Sequence, residues 1–393
     1  MKLHKLLLSA FISFALIAPA VSAPKAHAVI AGNADSLILE ENTEISAELE
    51  SYAVNLRSMM KARKTSFSFS VPRVLISGQK DADALVVEAL KETGNPTEGD
   101  YLRWCISGYN FTAPYDSSTD SYNFCFTVSY YTTAEQEKAV DSAVRSMISS
   151  LDVGTGSDYE VIKAVYNWVT SKVTYEENDT SQLVFTAYGA AVQHRAVCQG
   201  YSVLMYRVLT ELGIPCRVIP GTGNGQSHAW NIAAVDGKYY YLDSAWDSST
   251  QASGYCYLLR GTNDLDSLSK SNSHSRTWNH KSSLLYADYD DGTFNTRYPV
   301  QTNAYTFKPD TISYKLGDVN NDSKIDSKDA SLVLLAYSKL STFGWSGFTA
   351  SRKNAADVIK DSKVDSKDAS ALLGYYSYCS TGGRGSLTDY LNK

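Results

Sequence analysis

The 393-residue chain is 44% hydrophobic and 20% charged, carries a net charge of −6, and contains 28 tyrosines and six cysteines. The ordinary apolar fraction excludes wholesale disorder, collagen-like repeats and a membrane bundle. The mild acidity removes the electrostatic basis for nucleic-acid binding, which needs a basic stripe. The length calls for two or three domains, because single cores stop growing well before this size.

Lys2 and Lys5 precede an apolar run from Leu6 to Ala18, and small residues follow at Val21-Ser22-Ala23 and Ala26-His27-Ala28. This is the layout of an export signal over residues 1–28. The run is too short for a bilayer span of about twenty residues, and no later stretch qualifies, so a secreted chain with no transmembrane anchor is expected. Cleavage after Ala28 removes Lys2, Lys5 and Lys25 and no acid, which leaves the exported chain more acidic still.

Residues 29–150 carry helix and strand signals without a chemical motif and read as an N-terminal α/β extension. Strands are expected over Leu102–Thr112 and Tyr122–Tyr131, and a helix over Ala134–Leu151. Export permits disulfides, but cysteines at 105, 125, 198, 216, 256 and 379 have no regular spacing. Cys105 and Cys125 flank a hairpin in which regular pairing sets Cys105 against Tyr130. Buried free thiols are therefore expected for most of the cysteines other than Cys198.

Ser157 and Glu160 form a capping box. Val161, Ile162, Val165, Trp168 and Val169 follow at helical spacing, so Trp168 reads as core. In AVCQGYSVLMYRVLTELGIP, the residues Tyr201, Leu204, Met205, Val208 and Leu212 share one helical face. Gly213 supplies a left-handed cap and Pro215 confirms the stop. Cys198 thus begins a helix, where unpaired N–H groups and the dipole favour negative charge and lower a thiol from its free pKa of roughly 8.5. A small buried cysteine packing the helix start would give the same local pattern.

QSHAWNIAAVDGKYYYLDSAWD contains two β-rich runs around Asp236-Gly237, a type I′ hairpin dipeptide. A two-residue turn there sets Trp230 opposite Asp243, and His228 shares the Trp230 face because side chains alternate. His228 and Asp243 become diagonal neighbours about 7–8 Å apart at the backbone. A carboxylate that orients an imidazole, which in turn activates a thiol, is the arrangement of nucleophilic catalysis. A three-residue turn would destroy it.

Cys198 in VCQGY, His228 in HAWN and Asp243 ahead of Trp246-Asp247 resemble the core of the transglutaminase-like superfamily of cysteine enzymes. The resemblance covers roughly Asp158 to Leu259, including the helix YNWVTSKVTY. It implies an α+β, papain-like or transglutaminase-like core within residues 151–300, with the nucleophile at a helix N-terminus packed on an antiparallel sheet. Cys198 would be the nucleophile, His228 the general base and acid, and Asp243 the orienting carboxylate. Ala196 stands where the family motif usually has glycine. Such a site performs acyl transfer through a thioester: water as acceptor gives a peptidase or amidase, a lysine amine gives a crosslinking transglutaminase. Secreted bacterial members with this short core resemble proteases more than crosslinkers, so hydrolysis of protein or peptide is favoured. A polypeptide-binding or adhesion protein with an idle core is the alternative. Trp230 and Trp246 read as core or cleft wall, Gln193 as a polar loop residue, and the Cys198 N–H as the better oxyanion donor. His194 and His274 read as surface residues. With no paired CxxC and no HExxH helix, no catalytic metal is expected.

The tail, residues 317–393 beyond a polar linker at 301–316, contains a duplication. DSKIDSKDAS at Asp322–Ser331 returns as DSKVDSKDAS at Asp361–Ser370. Asp318, Asn320, Asp322, Asp326 and Asp329 occupy positions 1, 3, 5, 9 and 12 of a calcium loop, and Lys324 supplies the position-7 carbonyl. In the second copy Ile359 fills position 3, which leaves Asp357, Asp361, Asp365 and Asp368 with the Lys363 carbonyl and predicts weaker binding. Ser323 and Ser362 replace the position-6 glycine, which strains the turn. Two such loops, each leading into a short apolar helix, resemble a dockerin over about Leu316 to Cys379. The resemblance implies a small all-α module with structural calcium that plugs a secreted enzyme into a cohesin of a scaffoldin, in a cellulosome-like complex. Ser327-Lys328 and Ser366-Lys367 stand where dockerins contact cohesin, and their identity implies two related binding orientations.

Overall fold

The computed structural model describes residues 30–33, 45–151, 157–248, 254–267, 279–282, 293–307, 314–343, 346–348 and 350–392. The expected export signal and His274 lie outside them. The chain forms two units: Met1–Arg145, Val169–Glu211 and Pro215–Ala304 in one, Ser146–Trp168, Leu212–Ile214 and Tyr305–Lys393 in the other.

The first unit opens with β1 (Ile30–Asn33), α1 (Ala47–Lys61), β2 (Ser66–Pro72), α2 (Gln79–Ala89), α3 (Gly99–Cys105), β3 (Ile106–Ala113), β4 (Tyr115–Asp116) and β5 (Ser121–Tyr130). The strands make an antiparallel sheet in the order β1-β3-β5-β2, with β4 paired to β5. Two periodicities meet in its core. Phe124, Phe126 and Val128 alternate along β5, while Leu49, Ala53, Leu56 and Met60 recur along α1, and all are buried together. Phe67, Phe69, Phe111, Phe124 and Phe126 stack across neighbouring strands.

Two sequence expectations change here. Leu102–Cys105 ends helix α3 instead of starting a strand. Tyr101, Leu102 and Cys105 are buried, and the buried Asp100 accepts from Arg217 Nε at 2.8 Å and from the Val218 N–H at 2.8 Å. That distant ion pair pins a helical turn where local pattern favours extension. Tyr130 faces Ile106 and not Cys105, because the turn follows the Asp116–Ser121 pair and sets a later register, Thr112 opposite Cys125, which shifts by one position between Ile106 and Gly108. All six cysteines are free, with Cys105, Cys216 and Cys256 buried and Cys125 and Cys379 exposed.

After α4 (Ala134–Ser150) comes α5 (Asp158–Lys172). The Glu160 N–H donates to Ser157 Oγ at 3.3 Å and the Ser157 N–H to Glu160 Oε2 at 3.4 Å, the reciprocal pattern of a capping box. Next are β6 (Thr174–Tyr175), α6 (Ala187–Ala191), β7 (Arg195–Ala196), α7 (Cys198–Glu211), β8 (Cys216–Gly223), β9 (Gln226–Val235), β10 (Lys238–Leu242), α8 (Ser244–Asp247), β11 (His280–Ser282) and α9 (Thr293–Arg297). β6 and β7 pair in parallel, and the other strands form a four-stranded antiparallel sheet in the order β10-β9-β8-β11. β9 is buried from His228 onward on both faces, so it is the central element on which the site is built.

In the second unit, α10 (Ser327–Phe343), α11 (Ala350–Ala356), α12 (Ser366–Ser380) and α13 (Leu387–Leu391) surround Val319, Val333, Phe348, Val358, Leu372 and Leu387. The whole is α+β with a helical C-terminal module. Among the described residues no helix is long and apolar enough to cross a membrane.

Candidate functional site

The Asp236-Gly237 turn has φ values of 51° and 74°, both positive as a type I′ turn requires. It sets Lys238 opposite Val235 and Leu242 opposite Asn231. Asp243, the next residue, leaves the strand to become the N-cap of α8 and accepts the Trp246 N–H on Oδ1 at 3.0 Å. Its Oδ2 is thereby aimed at His228, whose Nε2 lies 2.7 Å away. Asp247 is buried and accepts the Cys256 and Tyr257 N–H groups at 2.8 and 2.9 Å. The Asp243 N–H in turn reaches the Tyr257 carbonyl at 3.2 Å. The Trp246-Asp247 part of the motif therefore braces the carboxylate.

Cys198 is the first residue of α7, and the rest of that helix is almost wholly buried. Close approach is possible because Gly200 has no side chain: a Cβ there would come within 2.5 Å of the Val184 carbonyl oxygen. Asn231, buried on β9, ties helix to sheet by donating Nδ2 to the Ser202 carbonyl at 3.0 Å and to the Arg217 carbonyl at 3.2 Å. The Cys198 thiol lies close enough to the His228 ring for the two groups to act on each other electrostatically. The Tyr175 hydroxyl lies near the Cys198 N–H, the expected oxyanion donor.

The electrostatics follow from this row. Burial raises the Cys198 thiol, but its hydrogen bond to His228 and the charge of that ring outweigh burial and bring it below the ordinary value. Burial alone would lower His228; the Asp243 charge and hydrogen bond, with Cys198, push it up to about 10. Asp243 is held well below the usual carboxylate range, because the charges and hydrogen bonds of His228 and His280 outweigh its burial. Cys105, by contrast, is pushed up to about 12, chiefly by burial and then by the charge of Glu137. Trp246 stacks on His228 with centroids 4.5 Å apart. A Cβ at Gly223 would lie 2.4 Å from Trp246 Cζ2 and 3.1 Å from His228 Cδ2, so this glycine makes room for both rings. Gln193 is exposed.

Sequence reasoning missed His280 and Asp266. His280 Nε2 lies 3.1 Å from Asp243 Oδ2, and its Nδ1 lies 2.7 Å from Asp266 Oδ1. No local motif marks it; it stands 37 positions from Asp243 in sequence and reaches the site through the pairing of β11 with β8. His228, Asp243 and His280 place ligand-type atoms within 4.8 Å of one another. Both rings already engage the same oxygen, so hydrogen bonds hold this group together.

In the tail, Asp318 accepts the Asp322 and Ser323 N–H groups at 3.0 and 2.9 Å. Asp329 accepts those of Val319, Asn320 and Asp326 at 2.8, 3.1 and 2.9 Å. The second copy repeats the scheme: Asp357 accepts from Asp361 and Ser362, and Asp368 from Ile359 and Asp365. Ser323 and Ser362 have φ of 68° and 66°, the left-handed conformation that glycine would adopt more easily. Burial raises the Asp329 carboxyl, opposed by its amide donors and reinforced by the charge of Asp318. Hard oxygens crowded in this way fit calcium. Asn320, Asp322, Asp326 and the Lys324 carbonyl belong to the first loop; Asp361, Asp365 and the Lys363 carbonyl belong to the second. Ser327-Lys328 and Ser366-Lys367 are exposed at the starts of α10 and α12. The repeat also exposes matching apolar side chains, Leu334 and Tyr337 on α10, Leu373 and Tyr376 on α12.

Comparison with known proteins agrees with this division. Residues 145–244 match the profile of the transglutaminase-like superfamily, and residues 316–375 that of the dockerin type I domain. Kyphoscoliosis peptidase of Mus musculus is 26% identical over 137 residues, covering 30% of this chain and 21% of that protein. The Homo sapiens protein of the same name is 25% identical over 122 residues, covering 27% and 18%. The chain thus spans about a fifth of the length of these curated relatives. A solved structure described as a crystal structure of a TGase aligns at 20% identity over 34% of this chain and 44% of that one, with a TM-score of 0.26. The chain carries a transglutaminase-like core domain and, C-terminal to it, a type I dockerin domain.

Proposed function

We propose that the protein is a secreted cysteine-dependent acyl-transfer enzyme acting on protein or peptide, anchored through its dockerin to a cohesin of a scaffoldin. The observation that carries this reading is the His228–Asp243 hydrogen bond of 2.7 Å, with Cys198 beside that imidazole at the start of α7. In this reading the domains are an export signal (1–28), an α/β extension (29–150), the catalytic domain (151–300), a linker (301–316) and the dockerin (317–393).

The thiolate of Cys198 attacks the substrate carbonyl carbon, and His228, held protonated by Asp243, gives its proton to the departing amine. The acyl group is then a thioester on Cys198. His228, now neutral, takes a proton from the acceptor as that acceptor attacks, and the thiolate returns. Hydrolysis is the favoured outcome; the relatives named as peptidases support it, over a short shared segment. In the dockerin, calcium supplies charge neutralisation when bound, and the loop carboxylates fix the starts of α10 and α12. The repeat-related Ser-Lys pairs and the exposed Leu and Tyr side chains would meet cohesin in either of two orientations.

A thiol-directed electrophile tests the catalytic reading. Selective labelling of Cys198 that disappears in His228→Ala is expected, and a rate equal to free cysteine would sink it. Mass spectrometry after incubation with a protein and an amine donor separates cleavage from crosslinking. For docking, substitution of one Ser-Lys pair should leave cohesin binding largely intact. Loss of binding from one pair with no effect from the other would exclude two orientations.

A further inference from the structure

The row of interacting groups does not end at Asp243. His280 is the first residue of β11, and its side chain is only 1% exposed. Each of its ring nitrogens meets a carboxylate oxygen: Nε2 meets Asp243 Oδ2 at 3.1 Å, and Nδ1 meets Asp266 Oδ1 at 2.7 Å. Asp266 is itself fixed, since its Oδ2 accepts the His280 backbone N–H at 3.1 Å. An ionised carboxylate can only accept hydrogen bonds, and a neutral imidazole has only one N–H. Satisfying both contacts requires protons on both nitrogens, which is the imidazolium form. The other groups facing the ring are His228 at 5.7 Å, Trp230 at 4.9 Å, Trp246 at 4.2 Å and Tyr257 at 5.5 Å between centroids. Charges then alternate along the chain Asp266, His280, Asp243, His228, Cys198.

The consequence concerns Asp243 Oδ2, which both imidazoles share. We propose that His280 is a positioning residue, held as an imidazolium between Asp266 and Asp243, that fixes the Asp243 carboxylate and draws part of its charge away from His228. A lone Asp243 would bind the His228 proton more tightly, and a proton held too tightly is given up slowly to a leaving amine. Sharing the carboxylate keeps His228 a working acid while leaving it protonated beside the thiolate. The raised protonation of His280, in which its two carboxylate partners outweigh burial, agrees with this geometry.

The proposal rests on the reading of Cys198 and His228 as a reacting pair, and its test is separable from that reading. In the full chain labelled at histidine Cε1, NMR titration should show the His280 ring still protonated well above pH 7. His280→Gln, which retains one amide donor without charge, should move the His228 titration upward by about half a pH unit or more. The same variant should lower kcat about tenfold with KM little changed, and raise the alkaline end of the activity profile. Asp266→Asn should move His228 in the same direction by less, and it serves if His280→Gln does not fold. A His280 ring that titrates near 6.5, or a His228 titration superimposable on the wild type in both variants, overturns the proposal. Slow alkylation of wild-type Cys198 with the His280 result intact would instead overturn the catalytic reading alone.

Discussion

Asp243 and Asp329 are both buried aspartates of this chain, and their surroundings push them in opposite directions. Asp243 faces two imidazoles from β9 and β11, whose charges and hydrogen bonds outweigh its burial and hold it ionised. Asp329 accepts from three backbone amides of its own loop, and burial together with the charge of Asp318 still raises it. The candidate site carries its counter-charges on its own side chains, brought from far along the chain. The dockerin loops gather negative charge locally, and in the proposed reading a calcium ion would compensate it. One region is therefore balanced by its own side chains, whereas the proposed calcium would make the other depend on what is dissolved around it.

The largest test of this contrast is removal of a member of the catalytic row. Cys198→Ala should abolish labelling and turnover, and His228→Ala or Asp243→Asn should each lower kcat by about 10²–10⁴. Chelation of calcium should leave those rates unchanged; parallel loss of turnover in EGTA would break the comparison. Next in size, a hundredfold excess of calcium over its Kd should stabilise the dockerin by about 2.7 kcal/mol. Calorimetry of the full chain should show that gain reduced by Asp329→Ala, and reduced less by Asp368→Ala if the Ile359 loop is the weaker one.

The third test is pH. His228 is raised, so the protonated ring and its share of stability are present at neutral pH and lost as pH rises through about 10. Activity should decline there about tenfold per pH unit. On the acid side, turnover should fall when the thiolate of Cys198 takes up a proton, below the ordinary thiol range. Stopped assays with a fluorogenic peptide would trace both limbs, and an alkaline limb near 6.5 would contradict the ion-pair geometry. The smallest effect belongs to Gly223→Ala. The added methyl meets Trp246 and His228, which should cost about 1–3 kcal/mol in stability and shift the ring enough to slow alkylation of Cys198 several-fold.

The legible parts of the molecule are those written in short-range spacing. The helix start at Cys198, its end at Gly213, the two-residue turn at Asp236-Gly237 and the register it sets all follow from local backbone preference. So do the duplicated loops, in which ligand positions alternate within twelve residues. The illegible parts are set by distant partners. Residues 102–105 have strand-like composition, yet Asp100 binds Arg217 on β8 and the segment turns helical. The β3–β5 register is set by a turn that follows the Asp116–Ser121 pair, later than the expected loop centre, and it shifts between Ile106 and Gly108.

By itself, then, the sequence determined which thiol, imidazole and carboxylate to consider, and that the tail repeats a calcium-loop pattern, because turn chemistry and periodic spacing are local properties. Only the tertiary structure decided that His280 and Asp266 extend the row and that Asn231 clamps α7 to β8. These contacts arise when segments far apart in sequence are packed into one sheet and one helix start, where a buried donor must find an acceptor wherever the fold supplies it.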